Sequence, residues 1–358
     1  MSPILTVENL YKRFPITGSS KVVQAINNVS LTINAGETLG LVGESGSGKT
    51  TVGRTIVGLT EPSAGVIRFQ VAGASVVARP PPGKVQLVFQ EPAESLDPRM
   101  RIGDTVSEPL QALGVGRAER LARVKDAMSL VRLDPAMLDS YPAGLSAGQQ
   151  QRVGIARSMV TQPELVVLDE PTSALDPTAR AEIIDLLKRI QADRGTAYLF
   201  ISHDLSTVRF ISHRVAVMYL GMIVEQGPAE TLFERPHHPY SSGLLSSVLL
   251  PHPDLAVESA VNLKGEIPSP IDLPNGCYLA SRCPFVIDRC RTSMPPPYVV
   301  GPEHTANCYR HEEVAAAVPA SKTFADFAVE AERILSRPSG QPPRFIPTLK
   351  EAHHGRTA

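Results

Sequence analysis

The chain has 358 residues, a formal net charge of −1 and 20% charged residues. That length accommodates one catalytic core plus a smaller module, and scattered Lys and Arg leave no basic footprint for nucleic acid. No segment reaches the roughly 20 apolar residues needed to span a bilayer, and the first residues, MSPILTVENL, lack a charged leader with an apolar core. They read as an opening β-strand, and a cytosolic chain that reaches a membrane by docking to other subunits is expected.

The run Glu37 to Val42 (ETLGLV) is apolar enough for a buried parallel strand. Lys49 to Leu59 carries Val52, Ile56 and Leu59 at helical spacing. Between them lies GESGSGKT, so Gly43 to Lys49 is a strand-to-helix turn. Gly43, Gly46 and Gly48 permit backbone conformations that gather N–H groups around one anion at a helix N-terminus. Lys49 is placed to reach the β- and γ-phosphates, and the Thr50 hydroxyl to bind Mg²⁺. Glu44, Ser45, Ser47 and Thr51 complete the candidate nucleotide loop.

Further on, LSAGQQQR begins at Leu145. Ser146 opens a predicted helix from Gln149 to about residue 161, stopped by Pro163, and its hydroxyl and the free N–H groups of the first turn face outward as an anion site. Leu165 to Pro171 (LVVLDEP) is a short apolar strand delivering two carboxylates to its end. Buried unpaired charge is costly, so the pair invites a functional explanation. Asp169 suits Mg²⁺, and Glu170 suits polarisation of the water that attacks the γ-phosphate. Asp169 lies 23 residues after Ser146, and His203 lies 34 after Asp169, closing the apolar strand Ala197 to Ser202 (AYLFIS).

This ordered set resembles the nucleotide-binding subunit of an ATP-binding cassette (ABC) transporter, over roughly residues 4–230. The resemblance implies an α/β P-loop ATPase core: a RecA-like parallel sheet, an antiparallel β-subdomain (1–40 and 61–89, with Gly73 to Lys84 as a hairpin and loop) and a helical subdomain (about 91–160). It implies that Phe14 stacks on adenine, with Tyr11 as the neighbouring alternative. By the same resemblance Gln90 would touch Mg²⁺ and the attacking water and link the site to the membrane subunits, a permease helix inserting in this chain's cleft after Gln90. It also implies that Asp176, in SALD, crosses a dimer interface and that His203 senses the γ-phosphate. The resemblance further implies that Ser146, Gly148 and Gln149 face the nucleotide of a partner, and hence that hydrolysis requires dimerisation. Ala147 stands where the family has glycine. It costs about 1 kcal/mol if the position needs positive φ and almost nothing if it does not.

EPAESLDPRMRIGDTVSEPL after Gln90, with HHPYSSGLL (His237 to Leu245), GEIPSPIDLPNGC and RCPF downstream, is similar to the oligopeptide/dipeptide importer family, and GQQQRVGIARSM to its F-type subunit. That implies a motor on the cytoplasmic face of the inner membrane. Its partners would be a D-type subunit (or a second copy of this chain), two permeases and an extracytoplasmic solute-binding protein. The competing class, a soluble ABC ATPase of DNA repair or translation, is marked by a long coiled-coil insertion, zinc modules or two cassettes in one chain, and none is present in the sequence. Residues 233–315 form the expected C-terminal module, which holds all four cysteines: Cys277, Cys283, Cys290 and Cys308. Stable disulfides do not suit a reducing cytosol. A zinc site, a [4Fe–4S] cluster and four unligated thiols remain open, with the resemblance favouring the cluster and the absence of C-x2-C weakening zinc. His304 and His311 read as ordinary surface residues. Phe324, Phe327, Ala331 and Ile334 fit a short helix within 316–358, followed by a mobile tail.

Overall fold

The computed structural model describes residues 3–70, 77–246 and 261–317. In chain order the first elements are β1 (Pro3–Pro15), β2 (Val22–Asn34), β3 (Thr38–Val42), α1 (Lys49–Ile56), β4 (Ala64–Phe69) and β5 (Val85–Val88). A helical stretch follows: α2 (Pro92–Ser95), α3 (Ile102–Ala112), α4 (Arg117–Leu130) and α5 (Ala147–Met159). Then come β6 (Leu165–Asp169), α6 (Pro177–Arg194), β7 (Ala197–Ser202), α7 (Leu205–Ile211), β8 (Arg214–Tyr219), β9 (Met222–Pro228), α8 (Ala229–Glu234) and α9 (Pro239–Ser246). The C-terminal portion adds α10 (Asp288–Thr292), β10 (Tyr298–Gly301), β11 (His304–Ala306) and α11 (His311–Ala317).

The strands form two sheets. β2, β1 and β4 make an antiparallel sheet in which Val7 faces Leu31 on one side and Ile67 on the other. The larger sheet runs β10-β11-β9-β8-β3-β7-β6-β5. The stretch from the edge strand β5 to β8 is parallel. Every residue of β3, β6 and β7 is buried, which is why these segments read as continuous apolar runs: a parallel sheet covered on both faces leaves no polar side. Helices α3, α4 and α5 pack through Ile102, Val106, Leu110, Val124, Met128 and Val153, all at most 2% exposed.

Several sequence expectations shift. The loop-following helix ends at Ile56 rather than Leu59, and the helix after Ser146 starts at Ala147, two residues earlier than expected, and ends at Met159. β5 belongs to the parallel sheet, not to the antiparallel subdomain, because its partner is β6; β3 is parallel, between β7 and β8, as its apolar run predicts. Of the hairpin expected at 73–84, Val77 bridges Phe69 antiparallel, while 71–76 lie outside the described residues. The helix expected around Phe324 to Ile334 and the tail also lie outside them.

The C-terminal module continues the core rather than standing apart from it. β11 pairs with β9, with Ala306 opposite Glu225, so two late strands extend the same sheet. His304 is therefore not on the surface. It is 4% exposed, and its Nε2 lies 2.8 Å from Oε1 of the buried Glu225. The same carboxylate accepts the backbone N–H groups of His237 (2.8 Å) and His238 (3.0 Å). Three donors on one buried acid fasten the segment before α9 and the strand β11 to β9 at a single point. Removing one partner of a buried charged group costs about 3 kcal/mol or more. His304→Ala should therefore lower the unfolding free energy by about that amount in denaturant titration; a change below about 0.5 kcal/mol, typical of surface sites, would contradict this placement.

Candidate functional site

The phosphate loop leaves β3 at Gly43 and enters α1 at Lys49. Gly48, at φ 103°, is the point where only glycine serves: a Cβ there would sit 2.2 Å from the carbonyl oxygen of Ala25. Gly43 meets the same limit, its Cβ position 2.2 Å from the Met218 carbonyl. The loop thus lies directly against the backbones of β2 and β8. Lys49 is 6% exposed. Its ammonium donates to the loop's own carbonyls, Gly43 at 2.8 Å and Glu44 at 2.9 Å. Burial pushes the Lys49 pKa down, opposed by the charges of Glu170, Asp169 and Glu44. The lysine therefore lies within the field of both strand-end acids.

Those acids come from the C-terminal end of β6. Asp169 is 5% exposed and accepts a 3.0 Å hydrogen bond from Thr50 Oγ1. Burial raises its pKa, and the Thr50 bond offsets part of that rise. Glu170 follows at φ 47°, a left-handed conformation that costs a non-glycine residue about 1–2 kcal/mol. Its N–H donates to Ile201 on β7 (2.9 Å), and the Ser173 hydroxyl donates to its carbonyl (3.1 Å). Strain held this way at a strand end marks a site where a side chain must point in one direction. The Glu170 carboxylate lies 2.7 Å from His203 Nδ1, the histidine standing just after β7. Next to it, Asp204 caps α7 and binds Arg180 at 2.8 Å, anchoring the histidine's loop to α6.

Hard oxygen donors from Thr50 and Asp169, already in contact beside a lysine, fit a magnesium–phosphate site. The structure thus brings together Lys49, Thr50, Asp169, Glu170 and His203 at the C-terminal ends of β3, β6 and β7. Gln90 lies two residues beyond β5, exposed. Phe14 is the penultimate residue of β1, 39% exposed, with the Lys12 ammonium 4.8 Å above its ring; Tyr11 is half-buried in the ladder opposite Ala64.

The signature residues form a separate surface. Ser146 and Gln149 make a reciprocal capping box at the start of α5, the Gln149 N–H on Ser146 Oγ at 3.3 Å and the Ser146 N–H on Gln149 Oε1 at 2.9 Å. Gly148 lies in the same first turn, with the Ala179 methyl 3.5 Å from where a Cβ would stand. Asp176 caps α6 by accepting the N–H groups of Thr178 and Ala179. Among the described residues no hydrogen bond joins these four to residues 43–51.

The four cysteines are free, and each of Cys277, Cys283 and Cys308 feels the charge of other thiols in the set. Burial pushes Cys283 to about 11 and Cys308 to about 12. They gather in one neighbourhood, where the Cys277 N–H donates to the Cys290 carbonyl at 2.7 Å. Yet among the described residues no three His, Cys, Asp or Glu side chains are placed to hold a metal ion. The donor chemistry suits a cluster and the placement does not, so the iron–sulfur expectation gains no support here.

Sequence reasoning missed three residues at the phosphate loop. Tyr240 accepts the Glu44 N–H (2.8 Å), and Arg282 reaches both the Glu44 carboxylate and the Tyr219 hydroxyl. Tyr240 and Arg282 belong to HHPYSSGLL and RCPF, which in the sequence carry only a family resemblance, since nothing local relates either segment to residue 44.

Known proteins extend these observations. The chain matches the ABC transporter family over residues 26–173 and the oligopeptide/dipeptide transporter C-terminal region over residues 224–290. A putative peptide import ATP-binding protein of Brucella ovis is 43% identical over 314 residues, covering 86% of this chain and 98% of the relative. A probable peptide ABC transporter ATP-binding protein of Sinorhizobium fredii is 40% identical over 338 residues, covering 91% and 95%. Among solved structures, the ATP-binding cassette MJ0796, a dimer bound to ADP and Pi, aligns with TM-score 0.55 at 27% identity, over 63% of this chain and 98% of that one. CbiO1 of Clostridium perfringens, part of an ABC transporter complex, aligns with TM-score 0.56 at 28% identity, over 65% and 91%. The chain belongs to the ATP-binding subunits of ABC transporters, in the branch that carries the oligopeptide/dipeptide transporter C-terminal region.

Proposed function

We propose that this chain is the motor of an importer for peptides or related small solutes, acting as one half of a two-cassette clamp on the cytoplasmic face of the membrane. The observation that carries the proposal is the meeting of Lys49, Thr50–Asp169 and Glu170–His203 at one sheet edge, while the Ser146 surface makes no hydrogen bond to that loop. Two incomplete surfaces on one chain suit a site completed by a second cassette. The names borne by the relatives favour peptides as cargo.

In this reading ATP enters along Phe14, and Lys49 exchanges the carbonyls of Gly43 and Glu44 for the β- and γ-phosphates. The remaining loop residues, Ser45, Gly46, Ser47 and Thr51 among them, surround the phosphates with N–H and hydroxyl groups. Thr50 and Asp169, with Gln90 as a further candidate, would hold Mg²⁺, which would neutralise charge on the phosphate oxygens. Glu170 accepts a proton from the attacking water, and His203 holds that carboxylate in line through its Nδ1 bond. Ser146, Gly148 and Gln149, with Asp176 at the seam, address the nucleotide of the partner. That partner is a D-type subunit or a second copy, and two permeases dock on the helical side. An open groove of about 640 Å³ lined by Arg99, Arg101, Asp104, Glu108 and Tyr141 offers charge of both signs for a permease helix. No described helix is long and apolar enough to cross a membrane, consistent with a peripheral subunit.

Ala147 is the first residue of α5 and is absent from the positive-φ positions, so alanine carries no backbone penalty there. Ala147→Gly should leave turnover of the assembled complex within about threefold, since a first-turn glycine costs at most about 1 kcal/mol; a tenfold rise would contradict the helical assignment. The cysteine module is the place where the family resemblance would put a [4Fe–4S] cluster. An anaerobic preparation coloured brown, the colour lost in Cys283→Ser, would establish it, whereas four freely titrating thiols in native, metal-free protein would exclude it. The decisive test of the motor itself is Glu170→Gln in the reconstituted importer. Turnover should fall by about 10²-fold or more while ATP binding is retained and uptake stalls; undiminished hydrolysis would refute the assigned base.

A further inference from the structure

The phosphate loop is gripped from outside the cassette core. Arg282 presents both terminal nitrogens to Glu44, Nη1 to Oε2 at 3.2 Å and Nη2 to Oε1 at 3.4 Å. The arginine side chain is 9% exposed and the glutamate side chain 31%. Arg282 is itself fixed: its N–H donates to the Leu279 carbonyl (2.8 Å), and its carbonyl accepts from Lys264 (3.1 Å). Nη1 lies 3.4 Å from the Tyr219 hydroxyl, and the guanidinium sits over the Tyr219 ring, which packs at 4.5 Å against Tyr240. Tyr240 in turn accepts the Glu44 N–H. Both the backbone and the carboxylate of Glu44 are thus held by residues of the C-terminal module and its approach.

We infer that Arg282 is a positioning residue for nucleotide binding, which it serves by keeping the Glu44 carboxylate away from Lys49. The inference rests on the ATP-site reading above. Glu44 is one of three carboxylates whose charge reaches Lys49, and the lysine ammonium already rests on the Glu44 carbonyl at 2.9 Å. A carboxylate released at that position would compete with the phosphates of ATP for the same ammonium. The two-pronged guanidinium contact prevents this, since Arg matches a carboxylate fork in a way that a point charge does not. By linkage, ATP binding and the docking of the segment around Arg282 favour one another. Cys283 is the next residue in the chain, so chemistry at the cysteine module acts one peptide bond from the grip on the loop.

The test measures the Kd of trinitrophenyl-ATP for the full chain, and KM and kcat for ATP in the assembled complex. Arg282→Gln should raise Kd and KM by about two- to fivefold, the range of a partly exposed ion pair, with kcat changed less than twofold. Adding Glu44→Gln to that variant should bring both constants to those of the Glu44→Gln single variant, because the competing charge is gone; a merely structural role for Arg282 would not be rescued by removing its partner's charge. Arg282→Lys, which keeps the charge but loses the fork, should show a smaller rise that Glu44→Gln also cancels, and it carries the test should Arg282→Gln fail to fold. Unchanged Kd in both single variants, or a loss that Glu44→Gln fails to reverse, would overturn the inference. Failure of the unaltered chain to bind the nucleotide would instead strike at the ATP-site reading.

Discussion

A buried lysine beside two buried or half-buried acids is an expensive arrangement, and the fold is organised around making it tolerable. Lys49 is desolvated, Asp169 is desolvated, and their charges partly offset one another across the loop. The offset requires three strand ends to meet: β3 delivers the loop, β6 the acids, β7 the histidine. A parallel sheet buried on both faces places all three C-terminal ends on one edge, where ligands of open α/β sheets bind. The close approach of Gly48 and Gly43 to the carbonyls of Ala25 and Met218 sets the loop's height above that edge. A triphosphate with its metal would relieve the same electrostatic tension, which makes the arrangement intelligible as a binding site rather than as a packing solution.

The C-terminal module stabilises this edge from the far side. Two strands extend the sheet beyond β9, the buried Glu225 collects donors from three residues of the later chain, and Arg282 and Tyr240 hold the loop itself. Cys277, Tyr278 and Cys283 pack against the main core cluster. The module is therefore part of the catalytic subunit's architecture, and the energetics of the nucleotide loop cannot be separated from it.

Much of this could be read in the sequence because the relevant signals are local. LVVLDE and AYLFIS are short apolar runs ending in functional groups, and a fully buried parallel strand leaves no other pattern. The phosphate loop announces itself by glycines whose spacing its geometry demands. What escaped reading depends on partners distant in the chain. The strand β5 is only four residues long, and it is recognisable as parallel only beside β6. His304 looked like a surface residue because its acid, Glu225, lies 79 positions earlier. Periodicity alone starts α5 too late because Ala147 and Gly148 contribute none to it; the capping box between Ser146 and Gln149 fixes the start at Ala147. Arg282 carried no functional signal until Glu44 appeared opposite it.

Division of the nucleotide pocket between two cassettes is the claim on which the functional reading stands, and the dependence of hydrolysis on concentration examines it most directly. Steady-state turnover of the purified chain at saturating ATP, followed by sedimentation under the same conditions, should rise with the square of concentration while monomer predominates, and become linear once a dimer or the complete importer assembles. Brisk hydrolysis strictly proportional to the amount of a sedimenting monomer would mean that one cassette suffices, and that the Ser146 surface has no nucleotide to meet.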